Sequence, residues 1–340
     1  MKQIWIPRPG PPGVLEVREE RDPLPERGQI RIRVEASGVN FADIMGRLGI
    51  YPDLPRMPCV PGYEVAGRID AVGEEVGTDW IGRDVFALTR FGGYSDVVCT
   101  DEIRVFARPP DMTAAQAASL PVNYLTAYML IEAMGSLHAG ETVLVHSAGG
   151  GVGIAAVQLA RRIGAHVIGT ASASKHDFLA SIGVDHAIDY RTEDFEKRVA
   201  EITYGRGVEL ALDAVGGSSF RKSFRALSPS GRLGMFGFSA AVRGKKRSRL
   251  ALLRGALAMP WLRFNPLALM SQNKGVFGVN LGHLWDESPR VAAWMETLLG
   301  YQRLGAVKPV IAATFPFEEA AAAHEFIQDR RNTGKVLLIP

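Results

Sequence analysis

Thr142-Val143-Leu144-Val145-His146 runs directly into Ser147-Ala148-Gly149-Gly150-Gly151-Val152-Gly153, and then into Ile154-Ala155-Ala156-Val157-Gln158-Leu159-Ala160. An apolar strand, a glycine turn and a helix, in that order, let backbone approach a pyrophosphate without a Cβ in the way at Gly150 and Gly151, with Gly149 and Val152 beside them. The start of the helix supplies unpaired N–H groups and a partial positive charge. Gly153 lets the helix lie close to the strand. Ala148 stands where the first glycine of such a turn is usual, so the flanking strand and helix, more than the glycine spacing, carry the reading of a dinucleotide site.

The same alternation continues outward from this loop. Apolar runs at 166–171, 186–189, 208–213 and 232–237 alternate with helical segments at 174–182, 192–202 and 218–227, and 276–279 reads as a further strand. Short apolar strands separated by helices pair in parallel through crossovers, which predicts an α/β fold built on a doubly wound parallel sheet. Residues 1 to about 115 read differently. Ile30, Ile32 and Val34 alternate with Arg31, Arg33 and Glu35, and further strand runs at 64–73, 83–88 and 94–100 predict an irregular β domain. Helices at 290–299 and 317–329 precede a last strand at 336–339.

The chain has 340 residues, 47% hydrophobic and 22% charged, which suits two globular domains and excludes disordered, collagenous and integral-membrane classes. Two cysteines, Cys59 and Cys99, build neither a disulfide framework nor a Cys-rich zinc lobe. The start carries no signal-peptide run and no stretch reaches a spanning length, so a cytoplasmic setting is expected.

The second strand ends at Ala171 without the acid that holds ribose hydroxyls in NAD-binding folds. Ser172, Ser174 and Lys175 follow instead, and these donate well to a 2′-phosphate that a carboxylate would repel. Tyr190, after the third strand, is placed to cover the same ribose. The strand ending at Gly237, between Phe236 and Phe238, opens the cofactor cleft. NADPH rather than NADH is the expected cofactor. Net charge is only +3, but Ala214 to Trp285 holds no Asp or Glu and twelve Lys or Arg, which points to an anionic ligand or surface.

Gly62-Tyr63-Glu64-Val65-Ala66-Gly67, the loop around Gly150, Asp213-Ala214-Val215-Gly216-Gly217 and the ending Gly334-Lys335-Val336-Leu337-Leu338-Ile339-Pro340 together resemble the medium-chain dehydrogenase/reductase family over nearly the whole chain. The resemblance implies a GroES-like catalytic domain at 1–120 and 283–340 and a Rossmann domain at 121–282, with a basic, apolar insertion at about 240–270. Zinc-dependent members carry a histidine where Tyr63 stands, and their other catalytic ligands, both cysteines, align near Asn40 and Val122. An amide, a phenol and an aliphatic side chain offer neither thiolate nor imidazole, so no zinc is expected.

Ser37-Gly38-Val39-Asn40-Phe41-Ala42-Asp43 with Gly49-Ile50-Tyr51-Pro52 is similar to the zinc-free quinone oxidoreductases of the zeta-crystallin type, and Ser271 to Gly278 with Leu281-Gly282 to their vesicle amine transport protein-like subgroup. By that resemblance Asn40 and Tyr51 line the substrate cleft, Thr126 and Asp213 flank the nicotinamide or its ribose, and Arg330 with Lys335 reaches the cofactor. Asn40 and Tyr51 are neutral donors suited to a carbonyl oxygen. The expected activity is hydride transfer from NADPH to a quinone or similar conjugated carbonyl. An enone or enal double-bond reductase is the alternative, as is a non-catalytic, membrane-associated NADPH-binding protein.

No nucleic acid is expected as a partner. The charge and apolar bulk of 243–264 suit a lid over the substrate, a weak contact with anionic lipid, or a loop and helix that widen a dimer interface. In related folds the strand at Gly275 to Val279 lies at a sheet edge and pairs with its twin, so a homodimer is expected.

Overall fold

The computed structural model describes residues 1–242 and 264–340. β1 (Lys2–Trp5) and β2 (Glu16–Glu19) form an antiparallel ribbon. β3 (Gln29–Val39) is the spine of a seven-stranded mixed sheet that also holds β4 (Glu64–Val72), β5 (Asp84–Leu88), β6 (Val97–Asp101) and β7 (Val105–Ala107). Ile30, Ile32 and Val34 of β3 point into the core, while Arg31 and Arg33 point outward to share Asp70, at 2.8 and 2.6 Å. That alternation is the period of a half-buried strand.

β8 (Thr142–Val145), β9 (His166–Ala171), β10 (His186–Asp189), β11 (Val208–Asp213), β12 (Leu227–Met235) and β13 (Gly275–Gly278) make a second, all-parallel sheet in the order β10-β9-β8-β11-β12-β13. This is the doubly wound order, which reverses between β8 and β11 and opens a crevice beyond their carboxyl ends. Val143, Leu144, Val145, Leu210, Ala211 and Leu212 are each 0% exposed, because helices cover both faces. β13 closes one edge and pairs only with β12 among the described residues.

β14 (Ile311–Pro316) and β15 (Lys335–Ile339) return to the first sheet, β15 running antiparallel to β3 with Val336 opposite Val39, and β14 parallel to β15. Three features depart from the sequence reading. β1, β2, β7 and β14 were not expected, being short or, for β14, a half-buried edge without alternation. β12 begins at Leu227, five residues before Arg232, and shifts register against β11 to do so. The helix expected from Ile154 starts at Gly151, so Gly151, Val152 and Gly153 form its first turn. The basic, apolar stretch lies, over residues 243–263, outside the described residues.

A buried polar chain runs through the mixed-sheet lobe. Tyr94 Oη donates to Asp43 Oδ2 at 3.1 Å and stands 3.1 Å from His324 Nε2, while His324 Nδ1 is buried without a partner. Burial, reinforced by the charge of Arg47, pushes the His324 imidazole down to about 3. Between about pH 3 and 6.5 the folded chain therefore keeps His324 neutral while the unfolded chain protonates it, and the His324 contribution to stability falls as pH drops through that window, opposed by Asp43, whose carboxyl burial pushes up to about 7. His324→Gln should reduce the slope of stability against pH by up to about 1.4 kcal/mol per pH unit. Urea midpoints between pH 6.5 and 4.5 that move in parallel for the two proteins would contradict this.

Candidate active site

A cavity of about 1150 Å³ lies between the two sheets, reaching from the glycine turn after β8 to an aromatic wall in the mixed-sheet lobe. Of the residues singled out in the sequence, Asn40, Tyr51, Thr126, Gly149, Gly150, Gly151, Val152, Ser172, Lys175, Tyr190, Phe236, Gly237, Phe238, Arg330 and Lys335 line it. Ser174 and Asp213 do not.

At the glycine end the backbone is held closely. Ser147 adopts φ 55°, Gly150 N–H donates to Ser147 O at 2.9 Å, and the helix Gly151–Ile163 begins with no acid in its first turn. A Cβ at Gly151 would fall 2.3 Å from Asn123 Nδ2, and one at Gly153 2.3 Å from Ser147 O. Gly334 N–H donates to Gly149 O at 3.0 Å, and Lys175 Nζ donates to Asn332 O, so the C-terminal segment is stitched to this turn.

Lys175, Arg191 and Arg330 gather around Tyr190, with the Arg330 guanidinium 5.4 Å and that of Arg191 5.9 Å from the phenol ring. Burial, with the two arginine charges, lowers the Lys175 pKa. Burial would raise the Tyr190 phenol, but hydrogen bonds and charge from Arg330 and Arg191 bring it below its ordinary value. Asp53, at the opposite end, is the only Asp or Glu among the residues lining the cavity. Ser172 lines this end and hydrogen-bonds Ser174 at 3.2 Å, leaving Ser174 exposed outside it.

Asp213 corrects an expectation. It is fully buried: Oδ1 accepts from the N–H groups of Val215 and Gly216 at 2.8 and 3.1 Å, and Oδ2 from the hydroxyls of Ser219 and Ser223, both at 2.7 Å. Four donors use up its acceptor capacity, so it shapes the loop after β11 and leaves Ala214 and Val215 to face the cavity. His146 extends this network, its ring nitrogens each 3.0 Å from Thr170 Oγ1 and Ser223 Oγ.

The far end holds a second arrangement that the motifs alone did not reveal. Glu64, 0% exposed, pairs with Lys335, 3% exposed. Glu64 Oε1 also accepts from Asn40 Nδ2 at 2.9 Å, Oε2 accepts from Val122 N–H at 2.7 Å, and Lys335 Nζ donates to Asn40 Oδ1 at 2.7 Å. Gly38 makes the room, since a Cβ there would lie 2.4 Å from Glu64 Oε1. The Asn40 amide is thereby held through its oxygen and one of its two N–H groups, and the Lys335 ammonium turns toward Asn40 and Glu64. The available signals were a glutamate inside an apolar strand run and a lone lysine opening another, neither of which names its partner.

Tyr51 and Tyr63 meet edge to face with centroids 6.4 Å apart, and Phe91 packs on Tyr63 at 5.1 Å. Burial raises both phenols above their usual range, so they are neutral donors. Met45, Ile103, Phe106, Leu281 and Trp285 complete an apolar wall. At the mouth Asp53 meets His283 at 2.8 Å and Asn280 at 3.3 Å, joining the two lobes. Asn40, Tyr63 and Val122 all line the cavity, but offer an amide, a phenol and an aliphatic group. Among the described residues no group of three or more His, Cys, Asp or Glu is placed to hold a metal. Cys59 is buried, and burial pushes the half-buried Cys99 thiol up to about 11. No described helix is long and apolar enough to cross a membrane.

Comparison with known proteins agrees with this architecture. The alcohol dehydrogenase GroES-like domain family matches residues 26–119, and the zinc-binding dehydrogenase family residues 151–297. The human synaptic vesicle membrane protein VAT-1 homolog is 41% identical over 329 residues, 96% of this chain and 82% of that protein. Among solved structures, Escherichia coli quinone oxidoreductase complexed with NADPH superposes with a TM-score of 0.87 at 29% identity, covering 100% of both chains. CurK enoyl reductase does so at 0.84 and 29%, covering 99% of this chain and 98% of that one. With both lobes matched by these families in the same order and 41% identity across nearly its full length, the chain belongs to the medium-chain dehydrogenase/reductase family of oxidoreductases, alongside the VAT-1 homologues.

Proposed function

We propose that this protein is an NADPH-dependent reductase that delivers hydride to a quinone or similar conjugated carbonyl without a catalytic metal. The observation that carries the reading is the polarity of the cavity: cations with no acid among them and a glycine turn at one end, phenols, apolar side chains and paired charges at the other. The glycine cradle fits a pyrophosphate, because side chains at Gly151 or Gly153 would collide with neighbouring groups. Lys175 and Arg330, with Ser172, would hold a 2′-phosphate, Tyr190 would cover the ribose, and Thr126 with Phe236, Gly237 and Phe238 would border the nicotinamide. The complex of the E. coli enzyme with NADPH supports this choice.

Bound NADPH would supply the hydride. The chain's own contribution is to orient an acceptor against the aromatic wall, to exclude water there and to offer neutral donors at its oxygen. A quinone asks for little more, since its hydroquinone anion is aromatic and weakly basic and water can protonate it. An α,β-unsaturated ketone or aldehyde benefits more from a donor at oxygen, and the likeness to an enoyl reductase supports that second reading. A homodimer through the open edge of β13 is part of the proposal.

Purified protein with NADPH should consume nicotinamide absorbance with quinones, enones or both; tight NADPH binding without turnover across such a panel would favour a binding role. Lys175→Ala and Arg330→Ala should each weaken NADPH binding by about 1.5 to 3 kcal/mol, roughly 10- to 160-fold, and change NADH binding little. Equal losses for both cofactors would move the 2′-phosphate elsewhere. Dialysis against a strong chelator should leave turnover intact, because Asn40, Tyr63 and Val122 supply no thiolate or imidazole. Activity lost to chelator and restored by zinc would refute the metal-free reaction.

A further inference from the structure

An asparagine carboxamide can turn over at little cost, because its oxygen and nitrogen are nearly the same size. At Asn40 charge fixes it. The oxygen accepts from the Lys335 ammonium at 2.7 Å and the nitrogen donates to the Glu64 carboxylate at 2.9 Å. A flipped amide would set donor against donor and acceptor against acceptor. One amide hydrogen remains, on a residue that lines the cavity beside Tyr51 and Tyr63. A cation on the carbonyl oxygen draws electron density through the amide and strengthens that remaining donor. Lys335 and Glu64 are 3% and 0% exposed, so bulk water screens the effect little.

We propose that Lys335 is a positioning residue for the reaction: anchored by Glu64, its ammonium orients and polarises Asn40 so that the carboxamide donates to the acceptor's oxygen, where negative charge collects. This rests on the hydride-transfer reading above. As hydride forms a bond to the acceptor carbon, the π pair of the breaking double bond moves onto oxygen, directly or through conjugation. That oxygen takes its proton from water, the hydride donor is left oxidised, and Lys335 keeps its protons throughout.

The same strand end offers a competing role. Gly334, next to Lys335, is bonded to Gly149 of the glycine turn, so a change at Lys335 could act on the cofactor instead. The test must separate the two. Lys335→Met combined with Glu64→Gln removes both charges together and leaves no unpaired buried ion, which keeps the variant foldable. Lys335→Arg retains the cation.

Two readouts are needed, on the full chain. The first needs no turnover: the infrared carbonyl stretch of ¹³C=O-labelled acetophenone bound in the cavity should lie at lower wavenumber in the wild type and in Lys335→Arg than in the double variant. The second is kinetic. The kcat for an enone should fall roughly 10- to 100-fold in the double variant and recover in part in Lys335→Arg, while the Kd for NADPH stays within about threefold. An unchanged stretch, or a weakened NADPH affinity with the stretch unmoved, overturns the proposal. So does failure of the wild type to bind the ketone. If the wild type turns over no quinone or enone, the hydride-transfer reading fails by itself, and the carbonyl shift decides whether Lys335 polarises a bound carbonyl.

Discussion

The ion pair between Glu64 and Lys335 is the contact on which the rest of the cavity depends. Both charges lie away from water, where an ion without a partner costs several kcal/mol, so each holds the other in place. Four segments meet there: Asn40 at the end of β3, Glu64 at the start of β4, Val122 in the helix Pro121–Tyr128 and Lys335 at the start of β15. Losing one charge would release all of them at once. The pair thereby ties the start of the C-terminal strand, already paired with β3, to the first sheet and to the helix Pro121–Tyr128.

The two ends of the cavity use charge in opposite ways. Near the glycine turn, cations crowd together around Tyr190 with no Asp or Glu lining the wall, an arrangement that an anion stabilises. At the other end the charges on the wall are paired, Arg104 with Asp101 and Asp53 with His283, and beside them stand phenols kept protonated by burial and an amide held by its neighbours. On the proposed reading, a site built this way would bind the nucleotide through its cationic end and keep the charges at the acceptor's end paired. Asp213 belongs to neither end: with Ser223 and the cavity-lining His146 it braces the loops after β8 and β11.

Much was legible in the sequence because it is local. The glycine turn sits between an apolar strand and a helix within some twenty residues, and backbone geometry there follows from the absence of side chains. Period-2 and continuous apolar runs marked most strands of both sheets. What escaped was short or lacked a pattern: β7 has three residues, and β14 is an edge whose burial does not alternate. Asp213 was expected beside the cofactor only through the family resemblance, yet four nearby donors had a prior claim on its oxygens.

The sequence by itself determined the alternation of parallel strand and helix, the phosphate-sized cradle and the lack of an acid beside it, since each depends on neighbours along the chain. Only the tertiary structure decided which side chains became partners. Asn40, Glu64 and Lys335 are spread across almost 300 residues, and nothing in their spacing foretells that an amide, a carboxylate and an ammonium would close on one another. That outcome depends on β15 returning to pair with β3, which brings residue 335 beside residue 40 and buries both charges where neither is stable alone.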